Sequence, residues 1–210
     1  MVRYKDNEHE KIKSETRRSL LDAAIVEFAR EGYEGANINR ISQAAGFAKG
    51  TIYNYFDSKR ALMITLIEET AGLHLEFITE QVHRHDDASR RVELFFNAGF
   101  AFASNFLAHG LVMVNNLYGP DTEFKQVMYQ AYLPMFELVG KDIIALGISQ
   151  GTFRQVDPTH MASMLMMIYL GIASQVNEEG KPWVEADQVA GLVLNGLLNQ
   201  PRAQKNKSHV

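Results

Sequence analysis

The chain contains no cysteine among its 210 residues. Disulfides, thiolate nucleophiles and cysteine-ligated metals are therefore excluded. Tryptophan occurs once and proline five times. β-Hairpin turn signals are absent and alternating apolar–polar runs are hard to find, which leaves little material for strands. Long hydrophobic runs are missing too. The most apolar one, Met161 to Ala173, falls short of the ~20 residues that a spanning helix needs. The first 18 residues are strongly charged and lack the apolar stretch of a secretory signal. There is no glycine-rich phosphate loop, nucleophile elbow or HExxH motif. His83 and His85 are two apart, so they point to different sides of a helix, and no third ligand lies near them in sequence. The expectation is an all-α cytoplasmic chain with no metal, no cofactor, no membrane partner and no enzymatic chemistry.

What is present is an apolar core and an uneven charge. Hydrophobic residues make up 46% of the chain, enough for a sizeable interior. The net charge is −4. Residues 1–60 hold 11 Lys+Arg against 9 Asp+Glu, whereas residues 61–210 hold 10 against 16. The N-terminal quarter alone has a positive balance, which suggests an electrostatic footprint there.

Helical periodicity runs throughout. Residues 1–10 are polar and read as frayed. A first helix is expected from about Ser14 to Arg30, with Leu21, Ala24, Ile25 and Phe28 on one face and Gly32 as its C-terminal stop. Asn37 caps a short second helix that Gly46 ends, and a third spans about Lys49 to Phe56. Ser58 caps a long helix to about His83, with Leu62, Leu66, Leu73 and Phe77 inward. Asp86 to Leu107 forms the next, ended near Gly110, and Leu111–Leu117 a short one. Gly119-Pro120-Asp121 is a turn and cap before a helix that reaches about Gln150, kinked at Pro134 and ended by Gly151. Asp157-Pro158 opens a helix to about Glu178. Gly180-Lys181-Pro182 is a loop, and a last helix covers about Glu185 to Asn199.

The most informative stretch is NINRISQAAGFAKGTIYNYFDSKRAL, residues 37–62. Two short helical patterns flank a glycine, as in a helix-turn-helix. Ala44, Ala45 and Gly46 permit a close crossing, while Ile41 and Ile52 supply an apolar lock. The second helix can then present its N-terminal end to a major groove. There Lys49 offers an ammonium, Gly50 a free backbone N–H and Thr51 a hydroxyl, at a helix N-terminus that favours anions. Tyr53 and Tyr55 can donate to phosphates, Asn54 can read a base edge, and Lys59 is placed for a phosphate. Asn37 and Arg40 complete the candidate DNA-binding set.

This segment resembles the DNA-binding domain of the TetR family of bacterial transcriptional regulators. The family pattern is similar to T-[VI]-x-x-I-A-x-x-A-G-V-S-x-G-T-[LIF]-Y-x-Y-F-x-[SN]-K-x-x-L. Ile38, Ile41, Ala45, Gly46, Gly50, Thr51, Ile52, Tyr53, Tyr55, Phe56, Ser58, Lys59 and Leu62 fall on it without gaps. Asn37, Ser42, Phe47 and Ala48 depart from it. Ala48 stands where a serine hydroxyl is usual, which removes one expected cap or phosphate contact. The basic start at Lys11–Arg18 and the GTFRQVDP stretch near residue 151 resemble the family as well.

The resemblance implies a DNA-binding domain over residues 10–57, a helical effector-binding and dimerisation domain over 58–200, a disordered tail over 201–210, and about nine helices. It implies a ligand-responsive regulator, expected to be a repressor released from a palindromic operator by a small apolar effector. The homodimer would form through the last two helices, whose Gly171, Ala173, Ser174, Ala190, Gly191 and Gly196 allow close approach. The candidate effector site comprises Phe96, Phe100, Met113, Tyr118, Phe124, Met128, Tyr132, Met135 and Met167. Each aromatic singly reads as core. The set, rich in adaptable methionine and kinked at Pro134, reads as a cavity lining. The alternative is an apolar-ligand carrier or sensor without functional DNA binding.

Overall fold

A computed structural model describes residues 2–177 and 181–198, with side chains from residue 8 onward. The expected tail over 201–210 and the loop glycine Gly180 lie outside the described residues. Helices account for nearly all regular structure: α1 (Val2–Gly35), α2 (Ile38–Ala44), a 3-10 turn (Thr51–Asn54), α3 (Lys59–Val82), α4 (Ala88–Asn105), α5 (Leu107–Tyr118) and α6 (Thr122–Glu137). A π-helical stretch (Leu138–Ala145), α7 (Leu146–Ser149), α8 (Pro158–Ala173) and α9 (Ala186–Leu197) complete it. Among the described residues the only β pairing is two isolated bridges, Phe153 with Leu198 and Val176 with Pro182. No single helix among them is long and apolar enough to cross a membrane.

The chain divides into two compact units. One takes the residues up to Leu75 together with Phe102–Tyr132, and the other takes Glu76–Ala101 and the residues from Leu133 onward. In the first unit, α1 begins at Val2 rather than near Ser14, so the leading residues are helical rather than frayed. They are rich in Lys, Glu and Arg, good helix formers, and Lys11 pairs with Glu15 one turn on. Leu21, Ala24, Ile25 and Phe28 are all buried, as their spacing requires. Gly32 breaks the helix at φ 69°, and a further turn follows to Gly35. Arg17 bonds Glu69 at 2.6 Å, tying α1 to α3.

The inner stripe of α3 differs from the expected one. Leu62 and Leu66 are buried, but Leu73 and Phe77 are only half-buried. Met63, Ile67, Thr70, His74 and Ile78 face inward instead. Apolar residues on α3 satisfy the 3.6-residue period on two neighbouring stripes, and packing selects between them. The α4–α5 break falls at Phe106, whose ψ of 49° is not helical, and not at Gly110. Asp121 caps α6 as expected, accepting from the amides of Glu123 and Phe124 at 3.0 Å each.

In the second unit, α6 runs through Pro134 and the backbone changes register four residues later, at the π stretch. Gly147 lies in van der Waals contact with the Phe153 ring, where a Cβ would clash. Asp157 caps α8, accepting from the His160 amide at 2.7 Å, with Pro158 in the first turn. α8 stops at Ala173 rather than near Glu178, and Val176 bridges to Pro182 just beyond. Tyr169 on α8 donates to the Gly99 carbonyl at 3.2 Å, a crossing that a side chain at Gly99 would block. Arg154 donates to the Gly196 carbonyl at 2.7 Å, closing the end of α9.

Candidate functional site

The helix-turn-helix is built from its caps inward. The Asn37 side chain accepts from the amides of Asn39 and Arg40, so it is spent on starting α2. Gly46 and Gly50 take left-handed backbone, at φ 82° and 88°, which an L side chain rarely adopts. Gly50 in turn begins the recognition segment. That segment is one 3-10 turn, Thr51–Asn54, and not a helix from Lys49 to Phe56.

The short turn changes its chemistry. The Thr51 amide donates to the Ala48 carbonyl at 3.1 Å, and the Ile52 amide donates to the Ser42 hydroxyl at 3.3 Å. These donors are unavailable to a phosphate, and four residues carry little macrodipole. What is left to meet an anion there is the set Lys49, the Gly50 amide and the Thr51 hydroxyl, with only a weak helix dipole behind them. Ser42 is wholly buried and bridges the two halves of the motif. The departure from alanine at this position thus has a structural role.

The remaining candidates divide by what they touch. Ile52 and Phe56 are buried, whereas Lys49, Tyr53 (55% exposed) and Asn54 face solvent, and Thr51 and Tyr55 are half-buried. Lys59 does not reach outward. Its ammonium donates to the carbonyls of Glu34 at 3.0 Å and Ala36 at 3.3 Å and lies 4.8 Å from the centre of the Tyr33 ring. It neutralises the C-terminal carbonyls of α1. Arg40 is paired with Glu27 at 3.5 Å and Glu31 at 3.3 Å. Glu27, buried and missed in sequence, also accepts from the Asn37 amide at 3.1 Å. Nothing in its i,i+3 surroundings marks that long-range bond.

The nine candidate effector residues fall in both units. In the first, Met113, Phe124, Met128 and Tyr132 are buried, but Tyr118 is 65% exposed at the end of α5. Phe124 is sandwiched by structure-holding contacts: the Tyr33 ring stands edge-on at 4.8 Å and the Arg60 guanidinium lies 4.7 Å from its centre. Arg60 is in turn anchored to Asp121 at 2.7 Å. Burial, the larger influence, raises the Tyr33 hydroxyl pKa against the opposing effect of Arg60. In the second unit, Phe96, Phe100 and Met135 are buried, while Met167 is 73% exposed on α8. Tyr118 and Met167 thus lie on the outer sides of their helices, Met167 beside a shallow cavity on α8. Phe100 stacks on Tyr169 with ring centres 6.2 Å apart, and Phe96 stands edge-on to Phe95 at 5.2 Å.

The polar groups inside the first unit were not legible as such. His74 shares a 3.0 Å hydrogen bond with the Tyr132 hydroxyl and stacks on Phe102 at 4.1 Å. Burial holds its pKa down to about 3, so the ring is neutral, and burial pushes the Tyr132 hydroxyl up. Asn116 donates to the Val112 carbonyl at 2.7 Å and to the Met63 sulfur at 3.5 Å. Their signal was the i,i+4 spacing of Thr70 and His74 among apolar neighbours.

A shallow cavity of about 360 Å³ lies along α8, lined by Met167, Gly171, Ile172 and Trp183 among others. Another of about 640 Å³ lies beside α1 and α2, lined by Asp22, Glu27, Arg30 and Arg40 among others. His83 shares a 2.8 Å hydrogen bond with Asp142 on the surface.

Known proteins share this arrangement. Residues 20–66 match the model for bacterial regulatory proteins of the tetR family. The chain is similar to the fatty acid metabolism regulator protein of Bacillus subtilis, 26% identical over 176 residues, covering 83% of this chain and 86% of that one. Its fold is similar to that of the fatty acid degradation regulator FadR from Bacillus halodurans, with a TM-score of 0.78 and 23% identity over 86% of this chain and 95% of that one. The transcriptional regulator FadR from Bacillus subtilis, solved in complex with stearoyl-CoA, superposes with a TM-score of 0.74 and 22% identity, over 87% and 97% of the two chains. With its helix-turn-helix matching the tetR family over residues 20–66 and an all-helical fold similar to that of these regulators, the chain carries a tetR-family DNA-binding domain at its N-terminal end.

Proposed function

We propose that the chain is a homodimeric, ligand-responsive transcriptional regulator, a repressor that leaves a palindromic operator when a small apolar molecule binds. The observation that carries this reading is the two-sided segment around Gly50. Ile52 and Phe56 enter the core, while Lys49, Tyr53 and Asn54 are turned to solvent. An ammonium, a phenol and a carboxamide presented together suit phosphates and a base edge. Residues 10–57 would hold DNA, and 58–200 would bind the effector and dimerise.

Two further observations support the reading. On α8 and α9, Met164, Met167 and Leu192 are exposed, and Trp183 is 75% exposed beside them. A Cβ added at Gly171, Gly191 or Gly196 would meet nothing within 4 Å, so packing within the chain does not demand these glycines. A second copy would use them for close approach, giving a two-fold dimer whose two turns read half-sites one helical turn apart. The stearoyl-CoA held by the Bacillus subtilis FadR structure favours an effector with a long acyl chain. Such an effector would act by shifting the population between two spacings of the DNA-binding heads.

Binding to DNA from the chain's own upstream region, measured across a salt series, tests the proposal. A regulator forms a specific complex whose affinity falls steeply with salt. A carrier without DNA binding forms none. Within that complex, Asn54→Ala should cost about 1–3 kcal/mol of discrimination at one base position, and an unchanged preference would remove Asn54 from base reading.

A further inference from the structure

Among the described residues, the buried polar side chains are Glu27, Ser42, Thr70, His74 and Asn116. The first two serve the helix-turn-helix. The other three lie in the α3–α5–α6 part of the first unit. His74 has Tyr132, and Asn116 has Val112 and Met63. Thr70 is different. It is 1% exposed, yet its hydroxyl has no hydrogen-bond partner among the described residues. Thr70 and His74 are four apart and so share one face of α3, one turn from each other. A buried hydroxyl without a partner costs stability, and a valine of nearly the same shape would avoid that cost.

No lysine or arginine is among these buried groups, and His74 is neutral in the physiological range. A carboxylate placed here would be desolvated without a counter-charge, which is prohibitive. A neutral oxygen would need only one donor. Resting on the regulator reading above, we propose that the Thr70 hydroxyl, beside the His74–Tyr132 pair, hydrogen-bonds an uncharged carbonyl oxygen on an otherwise apolar effector. The carbonyl of an ester and that of a thioester share this chemistry. Any ionised part of the effector stays outside this core.

The test compares methyl laurate, laurate and lauroyl-CoA on the full-length protein by calorimetry at neutral pH. Methyl laurate should bind, and Thr70→Val should weaken it about tenfold, the loss expected when a buried carbonyl forfeits its donor. Thr70→Ser, which keeps the hydroxyl, should restore affinity to within about twofold of the wild type. Laurate should bind at least about tenfold more weakly than its ester, since its charge must be desolvated. A lauroyl-CoA affinity above that of the ester, with the same loss in Thr70→Val, identifies a thioester as the source. A lower one with that loss identifies a free neutral lipid. Either supports the site. The free Thr70→Val protein should melt higher than the wild type, which shows that it folds. Equal ester affinity in Thr70→Val and wild type, laurate binding as tightly as the ester, or no binding of the three would overturn the proposal. Wild-type binding to the upstream DNA, measured separately, decides the regulator reading. A specific DNA complex with no Thr70 dependence sinks only the site, and Thr70-dependent ester binding without a DNA complex sinks only the regulator.

Discussion

Two exposed faces of this chain carry opposite chemistry. Around Gly50, the residues left in solvent are Lys49, Tyr53 and Asn54, while the apolar Ile52 and Phe56 are buried. On α8 and α9 the relation is reversed. Met164, Met167 and Leu192 are exposed, and small residues lie between them. A face that leaves an ammonium and a carboxamide in water is suited to a charged, hydrated partner. A face that leaves methionine and leucine in water is suited to an apolar partner that covers it, since exposed apolar patches of this kind mark interfaces. Both segments are two-sided, but only the second turns its apolar side out of the chain.

The comparison can be broken most directly at Met167. Met167→Glu would put a carboxylate on the apolar face. If a second copy covers that face, the dimer constant measured by sedimentation should rise about a thousandfold, on the order of 4 kcal/mol. An unchanged oligomeric state would mean that the face is simply solvated. Ser42→Ala probes the polar face from beneath. It removes the acceptor of the Ile52 amide and should cost about 1 kcal/mol of stability, read by denaturant melting, with weaker operator binding. The two lysines sharpen the comparison further. Lys59 holds the end of α1, so Lys59→Ala should lose about 0.5–1 kcal/mol of stability and leave the salt dependence of DNA binding unchanged. Lys49 is exposed, so Lys49→Ala should leave stability within about 0.5 kcal/mol and reduce the salt slope by about one unit. An exchange of these two behaviours would reverse the roles given to the two residues.

Features set by near neighbours are legible in the sequence, and those set by distant residues are not. Asn37, Ser58, Asp121 and Asp157 cap their helices as their positions in the sequence suggest, because a cap depends on residues two or three away. The buried face of α1 follows from its period alone. The bonds of Lys59 to Glu34 and Ala36 have no local signature, because those partners lie more than twenty residues earlier. The recognition segment was expected to be a longer helix. Its amides instead bond Ala48 and Ser42, which limits it to one turn. Tyr118 and Met167 are large and apolar yet exposed, because residue type does not say which side of a helix is covered.

The sequence by itself determined that the chain is helical, where most helices begin, and that a helix-turn-helix of a known pattern occupies residues 37–62. Those features rest on backbone propensities, caps and glycine conformations, which are set by near neighbours. Only the tertiary structure decided which stripe of α3 faces inward, that Lys59 is held by α1, and that Thr70 is buried without a partner beside the His74–Tyr132 pair. Burial and pairing are properties of residues far apart in the chain, and no local pattern encodes which of two equally periodic faces a neighbouring helix will cover.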